Sequence, residues 1–299
     1  MKTLAKYLNK KAISTVAKLP LTPKGLVAGS RAGAHKSPFH GFSVEFAGHR
    51  DYVQGDDIRH IDWNVYYKKD KYFIKQYEAE TNMVCQMFLD ASESMRFKSG
   101  EVSKLDFAAE LAVCLTYLVT KASDKIGCTI FDESIVQHIR PSNSLSTVYK
   151  MNNILEELKP TKKTGISKNL MEFAERIGRR EIVIIISDFL IKPEELANGL
   201  ARLRYDNHEI VLFHIVDPFE KDFPMDGRIK FIGLEGYPEL KLQPRQIRKA
   251  YIEKFTNHQN KIIDICKRTS AEYVEVLTNK PLAEMMFQYM VSRLTHIAR

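Results

Sequence analysis

The chain has 299 residues and a formal net charge of +8, and 44% of its residues are apolar while 27% are charged. This composition is typical of a globular protein, and no apolar run approaches the roughly 20 residues that a membrane-spanning helix needs. The N-terminal residues include lysines but no sustained apolar stretch, which argues against a secretory signal. The four cysteines form no C-x-x-C pair, so we expect reduced core residues in a cytoplasmic protein.

The positive charge is concentrated in an N-terminal arm. Eight basic residues and no acidic residue precede Glu45, and subtracting these eight from the 45 basic residues leaves 37, which equals the number of acidic residues. The neutral body argues against a nucleic-acid-binding protein. The arm is predicted to be a tail, a docking segment or a weak contact with an anionic membrane surface. Apolar residues at near-helical spacing predict a short amphipathic helix within residues 1–19, packed on the body rather than on a membrane.

Strands and helices alternate from Met83 onward. Strands are predicted at residues 83–89, 125–131, 135–139, 182–186, 209–216 and 273–277. Helices are predicted at residues 104–120, 145–158, 168–177 and 193–204, followed by a long helix that ends at Arg268 and by a final helix after the last strand. Residues 219–245 are predicted to be an inserted hairpin or loop. The alternation indicates an α/β fold with a doubly wound, mostly parallel central sheet flanked by helices.

Three aspartates come directly after predicted strands, at positions 90, 188 and 217. In doubly wound sheets, ligands bind beyond the carboxyl ends of the strands, near the switch in strand order. The first aspartate opens the segment Asp90-Ala-Ser92-Glu-Ser94, whose carboxylate and two hydroxyls on alternate residues can converge on one cation. Oxygen ligands suit Mg²⁺, with Mn²⁺ or Ca²⁺ as alternatives. The competing interpretation is a helix-capping turn that is rich in serine and aspartate.

A second charged segment lies upstream of the predicted sheet. It contains a tight turn at Gly55-Asp56 and acidic and basic side chains that can form a paired network. We interpret it as a structural corner that is held by salt bridges, with the only tryptophan as its apolar anchor. Its characteristic residues are Arg50, Tyr52, Gly55, Asp56, Asp57, Arg59, Asp62 and Trp63.

Several common enzyme motifs are not found in the chain. It contains no G-x-x-x-x-G-K-[ST] phosphate loop, no H-E-x-x-H zinc motif and no G-x-S-x-G elbow, so we expect a protein that is not an enzyme. The alternative is a metal-dependent nuclease or a nucleic-acid-binding protein, because the upstream segment has residue types that are used in two-metal phosphodiester cleavage. The residues concerned are Asp56, Asp57, Asp62, Lys75, Glu78 and Glu80.

From about residue 81 to residue 299, the sequence resembles a von Willebrand A domain. That family holds a metal ion in a metal-ion-dependent adhesion site, formed by the D-x-S-x-S loop, a threonine on a later loop and an aspartate after the fourth strand. Thr161 and Ser167 are weaker matches to the threonine than the residue between them. The resemblance implies the ligand set Asp90, Ser92, Ser94, Thr164 and Asp188.

The upstream segment closely resembles the signature R-x-Y-x-x-G-D-D-x-R-x-I-D-W of domain of unknown function 58, which precedes a von Willebrand A domain in that family. The members resemble partners of MoxR-type AAA+ ATPases. We therefore expect an accessory segment at residues 1–80 and a von Willebrand A-like domain at residues 81–299. The resemblance implies a cytoplasmic adaptor whose bound Mg²⁺ receives an acidic side chain of a partner, and which acts with such an ATPase on a client complex.

Overall fold

The computed structural model describes residues 5–19, 21–24, 44–54, 56, 58, 61–79, 83–158, 165–226, 229–231 and 240–297. It divides into a larger unit, residues 1–25 with 84–299, and a smaller unit, residues 26–83. The sequence prediction joined the basic arm to the upstream segment. In the structure, residues up to Gly25 group with the larger unit. Among the described residues, no helix combines the length and the apolar character needed to cross a bilayer.

The predicted strands and helices from residue 83 onward are confirmed, with ends that differ by at most three residues. The strands are β1 Val44–Asp51, β2 Phe73–Ala79, β3 Val84–Asp90, β4 Lys125–Phe131, β5 Ile135–Ser142, β6 Ile182–Ser187, β7 Glu209–Val216, β8 Ile229–Phe231, β9 Leu240–Leu242 and β10 Glu272–Leu277. The helices are α1 Lys10–Val16, α2 Trp63–Lys69, α3 Lys104–Lys121, α4 Ser146–Glu157, α5 Ile166–Arg176, α6 Pro193–Tyr205, α7 Pro218–Asp222, α8 Pro244–Thr269 and α9 Leu282–Ile297. Within the predicted insertion, β8 and β9 form a separate antiparallel pair.

The central sheet of the larger unit has the strand order β10-β7-β6-β3-β4-β5. Its neighbouring strands are parallel except at the edge, where β5 runs antiparallel to β4. The chain extends the sheet from β3 toward β5 and then places β6 on the other side of β3. The strand order therefore switches between β3 and β6, which is where doubly wound sheets bind ligands. The predicted fold class is confirmed.

Helices pack on this sheet in two groups. Strand β6 is buried along its whole length, as expected for a run of β-branched residues in a central parallel strand. Its alternate residues Val183 and Ile185 belong to one core cluster with side chains of α5, α6 and α8. The other group consists of α1, α3, α4 and α9, which contact one another. Because successive strand residues point to opposite faces, both faces of the sheet can be covered, and the strand ends are held in fixed positions.

Helix α1 is the predicted amphipathic helix of the N-terminal arm. Its apolar residues Ala12 and Val16 are fully buried, and the helix packs against α9 and α3. The side chain of Asn9 caps it by accepting a hydrogen bond from the backbone N–H of Ala12 over 2.9 Å. These apolar contacts are the physical reason that the arm groups with the larger unit, and the expected packing on the body is confirmed.

A buried arginine ties the residues after α1 to the sheet. Arg293 of α9 is fully buried and pairs with Glu209 and Glu272, the first residues of β7 and β10. Its guanidinium also donates to the carbonyl of Thr22 over 2.6 Å. Lys24 pairs with Glu272 over 2.8 Å. This ionic cluster lies at the amino ends of the strands, which is the edge of the sheet opposite to the carboxyl ends.

The smaller unit is built on the antiparallel pair of β1 and β2, with an irregular register between Phe46 and Gly48. Helix α2 lies between these strands in the sequence. It begins after Asp62, whose carboxylate accepts hydrogen bonds from the backbone N–H groups of Asn64 and Val65. This pattern is a helix N-cap, so the signature aspartate has a local structural task.

Candidate metal centre

Asp90 is the last residue of β3 and lies at the switch in strand order. Its side chain is almost completely buried. One carboxylate oxygen accepts from the backbone N–H of Ser92 over 2.9 Å, which curls the loop back over the strand end. The other accepts from the hydroxyl of Ser187, at the end of the adjacent strand β6, over 2.7 Å. The two strand ends are thus joined at the site.

The two serines of the loop bring their hydroxyls together. Ser92 precedes a short 3-10 helix, Glu93–Arg96, and its side chain oxygen lies 3.1 Å from that of Ser94. The apolar Met95 beside them is fully buried, which fixes the loop in this conformation. The three predicted ligands of the D-x-S-x-S segment therefore form one cluster.

Asp188 follows β6 and completes the cluster from the neighbouring strand. Its carboxylate accepts from the side chain of Lys104 over 2.7 Å and from the backbone N–H of Leu190 over 3.3 Å. A hydrogen bond with the side chain of Ser94 links it to the loop. The structure thus brings together four of the five predicted ligands, whereas Thr164 and its alternative Thr161 lie outside the described residues. The other alternative, Ser167, is the second residue of α5.

The two aspartates differ in their protonation behaviour. Burial and the negative charge of Asp188 raise the pKa of Asp90 to about 6, although hydrogen bonds from Ser187 and Ser92 act in the opposite direction. Burial also acts to raise the pKa of Asp188, but the ammonium of Lys104 and the hydroxyl of Ser94 hold this pKa below its ordinary value. The pair therefore concentrates negative charge in a dry site, where an added cation is strongly favoured.

Lys104 is the functional candidate that sequence reasoning missed. It is the first residue of α3 and is fully buried. Its ammonium contacts Asp188 and also Glu220, whose carboxylate oxygen lies 2.6 Å away. Although burial acts to lower the pKa of Lys104, these two carboxylates raise it above its ordinary value. Glu220 is itself held by the capping box that Asp217 forms at the start of α7, so a third strand end contributes to the site.

The donor set fits a small, hard cation. It offers carboxylate and hydroxyl oxygens, and the 3.1 Å between the oxygens of Ser92 and Ser94 is close to the roughly 3 Å between adjacent ligands of an octahedral Mg²⁺ ion with bonds of about 2.0–2.1 Å. Among the residues that the structure describes, no group of three or more His, Cys, Asp or Glu side chains could hold a metal. The candidate centre therefore depends on its serine hydroxyls. Because Lys104 engages Asp188, this aspartate would act on the ion through water.

The upstream segment forms a paired corner in the smaller unit. The guanidinium of Arg50 donates two hydrogen bonds of 2.7 Å to Asp56, and Asp62 contacts His49 over 2.8 Å in addition to capping α2. Tyr52 packs edge-on against Tyr72. Asp56 and Asp62, two of the acidic residues named for the alternative nuclease site, are thus engaged in framework contacts. Glu78 lies in β2, and Glu80 lies outside the described residues. The remaining signature residues, Gly55, Asp57 and Arg59, lie outside the described residues.

The expected role of Trp63 as an apolar anchor is wrong. Its side chain is 54% exposed, and none of the seven residues of α2 is buried. Its ring packs edge-on against Tyr66, which in turn stacks on Tyr72 with 4.7 Å between the ring centroids. The aromatic residues of this corner contact one another near the surface instead of entering a core.

The chain is similar to other proteins in sequence and in fold. An uncharacterized protein of Mycobacterium bovis and one of Mycobacterium tuberculosis are each 22% identical over 281 residues, which are 92% of this chain and 87% of theirs. The conserved hypothetical protein BatB from Bacteroides thetaiotaomicron is similar in structure, with a TM-score of 0.49 and 15% identity over 72% of this chain and 100% of that one. The VWA domain of SpRpn10 gives a TM-score of 0.43 and 12% identity over 70% of this chain and 95% of its own.

A family model described as "Protein of unknown function DUF58" matches residues 48–261. The match includes both the paired corner and the loop that carries Asp90. The chain therefore belongs to this family.

Proposed function

We propose that this protein is a non-enzymatic, metal-dependent adaptor that binds other proteins. The observation that carries the proposal is the meeting of Asp90, Ser92 and Ser94 with Asp188 at the switch between β3 and β6. Because Lys104 already engages the carboxylate of Asp188, Asp90 with the neutral hydroxyls would leave a divalent ion incompletely neutralised. Such an ion attracts a further carboxylate, and an acidic side chain of a partner protein can supply it.

The residues of the chain have distinct tasks in this proposal. Ser92, Ser94 and Asp90 would hold Mg²⁺, with Mn²⁺ or Ca²⁺ as alternatives, and Thr164 would add a hydroxyl. Asp188 would act through water, because its carboxylate is engaged by Lys104. Hydrogen bonds from Ser187 and from the loop backbone hold Asp90 in place. The site is thus formed before a ligand arrives, which lowers the entropic cost of binding.

The proposed partner is a MoxR-type AAA+ ATPase, with which the adaptor would assemble or remodel a client complex. This part of the proposal rests on the resemblance of the signature segment to that of ATPase-associated proteins. We place the protein in the cytoplasm, a reducing compartment that suits its four buried, unpaired cysteines. The basic residues of α1 remain available for a weak contact with an acidic surface.

The first test is direct measurement of metal binding. Calorimetric titration of the full chain with Mg²⁺ should show one site in the wild type and none in Asp90→Ala. Asp206→Asn is the matched control, because it changes another largely buried aspartate of the larger unit, the C-cap of α6, which lies away from the carboxyl ends of the strands. Equal binding by Asp90→Ala and the wild type would refute the metal site.

The second test concerns the partner and the chemistry. A pull-down from the native cell should recover an AAA+ ATPase with Mg²⁺ and lose it with a chelator or with Asp90→Ala. Recovery that ignores the chelator would contradict metal dependence. Incubation with plasmid DNA and Mg²⁺ or Mn²⁺ should leave the DNA intact. Cutting that disappears in Asp62→Ala would establish a nuclease instead.

A further inference from the structure

The position of Lys104 is unfavourable for a lysine on two counts. It is the first residue of α3, directly after the N-cap Ser103, and the positive end of a helix dipole disfavours a cation there. Its side chain is also fully buried, which removes the solvation that an ammonium has in water. A helix can begin without a lysine, so the residue needs an explanation beyond secondary structure.

The charges around Lys104 point to the explanation. Its ammonium lies 2.7 Å from Asp188 and 2.6 Å from Glu220, and the charge of Asp188 in turn acts on Asp90. One buried ammonium is therefore shared by two carboxylates. The lysine neutralises part of this negative charge permanently. The carboxylate that it engages is that of Asp188, which could otherwise coordinate a metal ion directly.

We propose that Lys104 is a built-in competitor of the metal ion for Asp188, and that it sets the affinity of the centre for divalent cations. The inference rests on the proposed metal site and deepens it. With Asp188 held by the lysine, the ion is bound loosely and keeps a strong attraction for a carboxylate. A partner carboxylate then supplies the missing negative charge, so metal and partner strengthen each other's binding by the same factor. Lys104 is thus a positioning residue that acts through Asp188.

The test is the metal affinity of Lys104→Met, which replaces the aliphatic part of the side chain with one of similar length and removes the charged ammonium. Mg²⁺ titration of the full chain, with Mn²⁺ binding followed by electron paramagnetic resonance, should show at least tenfold tighter binding than in the wild type. The rise in melting temperature on adding Mg²⁺ should also be larger, because the ion replaces the lost ammonium. Lys104→Arg is the control that keeps the charge and should bind within a few-fold of the wild type.

A second variant separates this role from a merely structural one. Asp188→Asn in the Lys104→Met background should remove the gain in affinity, because the gain is transmitted by the freed carboxylate. Unchanged or weaker metal binding in Lys104→Met would overturn the inference, and so would a gain that persists without Asp188. If Asp90→Ala abolishes binding while Lys104→Met leaves it unchanged, the metal site stands and only this inference fails. If the wild type binds no metal, the proposed function itself fails.

A third comparison applies if Lys104→Met does not fold. Glu220→Gln removes one of the two carboxylates that the lysine compensates, so Lys104→Met combined with Glu220→Gln buries less uncompensated charge. This double variant should bind Mg²⁺ at least tenfold more tightly than Glu220→Gln alone. Equal affinity of the two would overturn the inference.

Discussion

The candidate metal centre and the paired corner of the smaller unit both contain several ion pairs, but the pairs differ in how deeply they are buried. At the site, Lys104 and Asp188 are 0% and 2% exposed, whereas Arg50 and Asp56 in the corner are 41% and 21% exposed. A pair in water gains little and is screened by salt, while a buried pair is costly to break because a bare charge remains. The same residue types thus form a framework at the surface and a candidate metal centre in the interior.

The strands explain this difference. In the larger unit, β3 and β6 are buried along nearly their whole length, so the residues at their ends lie next to a core that excludes water. In the smaller unit, α2 has no buried residue and its aromatic rings pack on one another. Substitutions in the two regions should therefore differ in their effect on stability.

Asp188→Ala should cause the largest loss of stability. It leaves the buried Lys104 with Glu220 as its remaining partner, and breaking a buried pair typically costs about 3–5 kcal/mol. Urea unfolding in metal-free buffer, followed by far-ultraviolet circular dichroism, measures the change. Asp188→Asn keeps an oxygen for the ammonium and should lose less. A loss below about 1 kcal/mol in Asp188→Ala would show that the site is no more sensitive than a surface pair.

Asp90→Asn should stabilise the metal-free protein at neutral pH. The folded-state pKa of Asp90, about 6, lies above the ordinary value of 3.8. The protonated carboxyl therefore adds to the free energy of unfolding below about pH 4, and this stabilisation is lost as pH rises through about 6. Asparagine cannot ionise, so at pH 8 the free energy of unfolding of the variant should be higher than that of the wild type by about 1–3 kcal/mol. Unfolding curves at pH 4 and pH 8 test this.

In the presence of Mg²⁺, the wild type should instead be more stable than Asp90→Asn at pH 8. Magnesium needs the ionised carboxylate, so it should stabilise the wild type at pH 8 and leave Asp90→Asn unchanged. A variant that is destabilised at pH 8 without metal would contradict the buried ionised aspartate. Stabilisation of both proteins by Mg²⁺ would place the metal elsewhere.

Changes in the corner should have the smallest effects. Asp62→Ala removes the cap of α2 and should cost about 1 kcal/mol, while Asp62→Asn retains a capping side chain and should lose less. The fluorescence of Trp63, the only tryptophan, reports unfolding of this region directly. Asp56→Ala should have a smaller effect still, and one that diminishes at high salt. A loss in Asp62→Ala as large as that in Asp188→Ala would remove the contrast between the two regions.

Much of this architecture could be predicted from the sequence. The run of β-branched residues at 182–186 and the alternation of strand-like and helix-like segments predicted the sheet, and the aspartates after two of the strands predicted the position of the candidate site. This succeeded because parallel strands end at the same edge, so residues 90 and 188 come together through backbone geometry alone. The end of a strand can be predicted because it depends on the residues next to it in the sequence.

Side-chain pairing over long sequence distances could not be predicted in the same way. Lys104 was recognised as the start of a helix, and its contact with Asp188 spans 84 positions. The only local signal was a lysine in the first turn, where the helix dipole opposes it. Trp63 was misjudged because apolar character predicts burial only where a core is within reach, and α2 offers none.

The link between Thr22 and Arg293 has a consequence for synthesis of the chain. The two residues are 271 positions apart, and α1 packs on α9 as well. During synthesis, the contacts of α1 with α9 must therefore wait until α9 has been made, whereas its contacts with α3 can form earlier. Contacts between such distant segments form late and slow the search for the native state. Until then, Ala12 and Val16 lack the apolar cover of α9, and the ionic cluster around Arg293 cannot form.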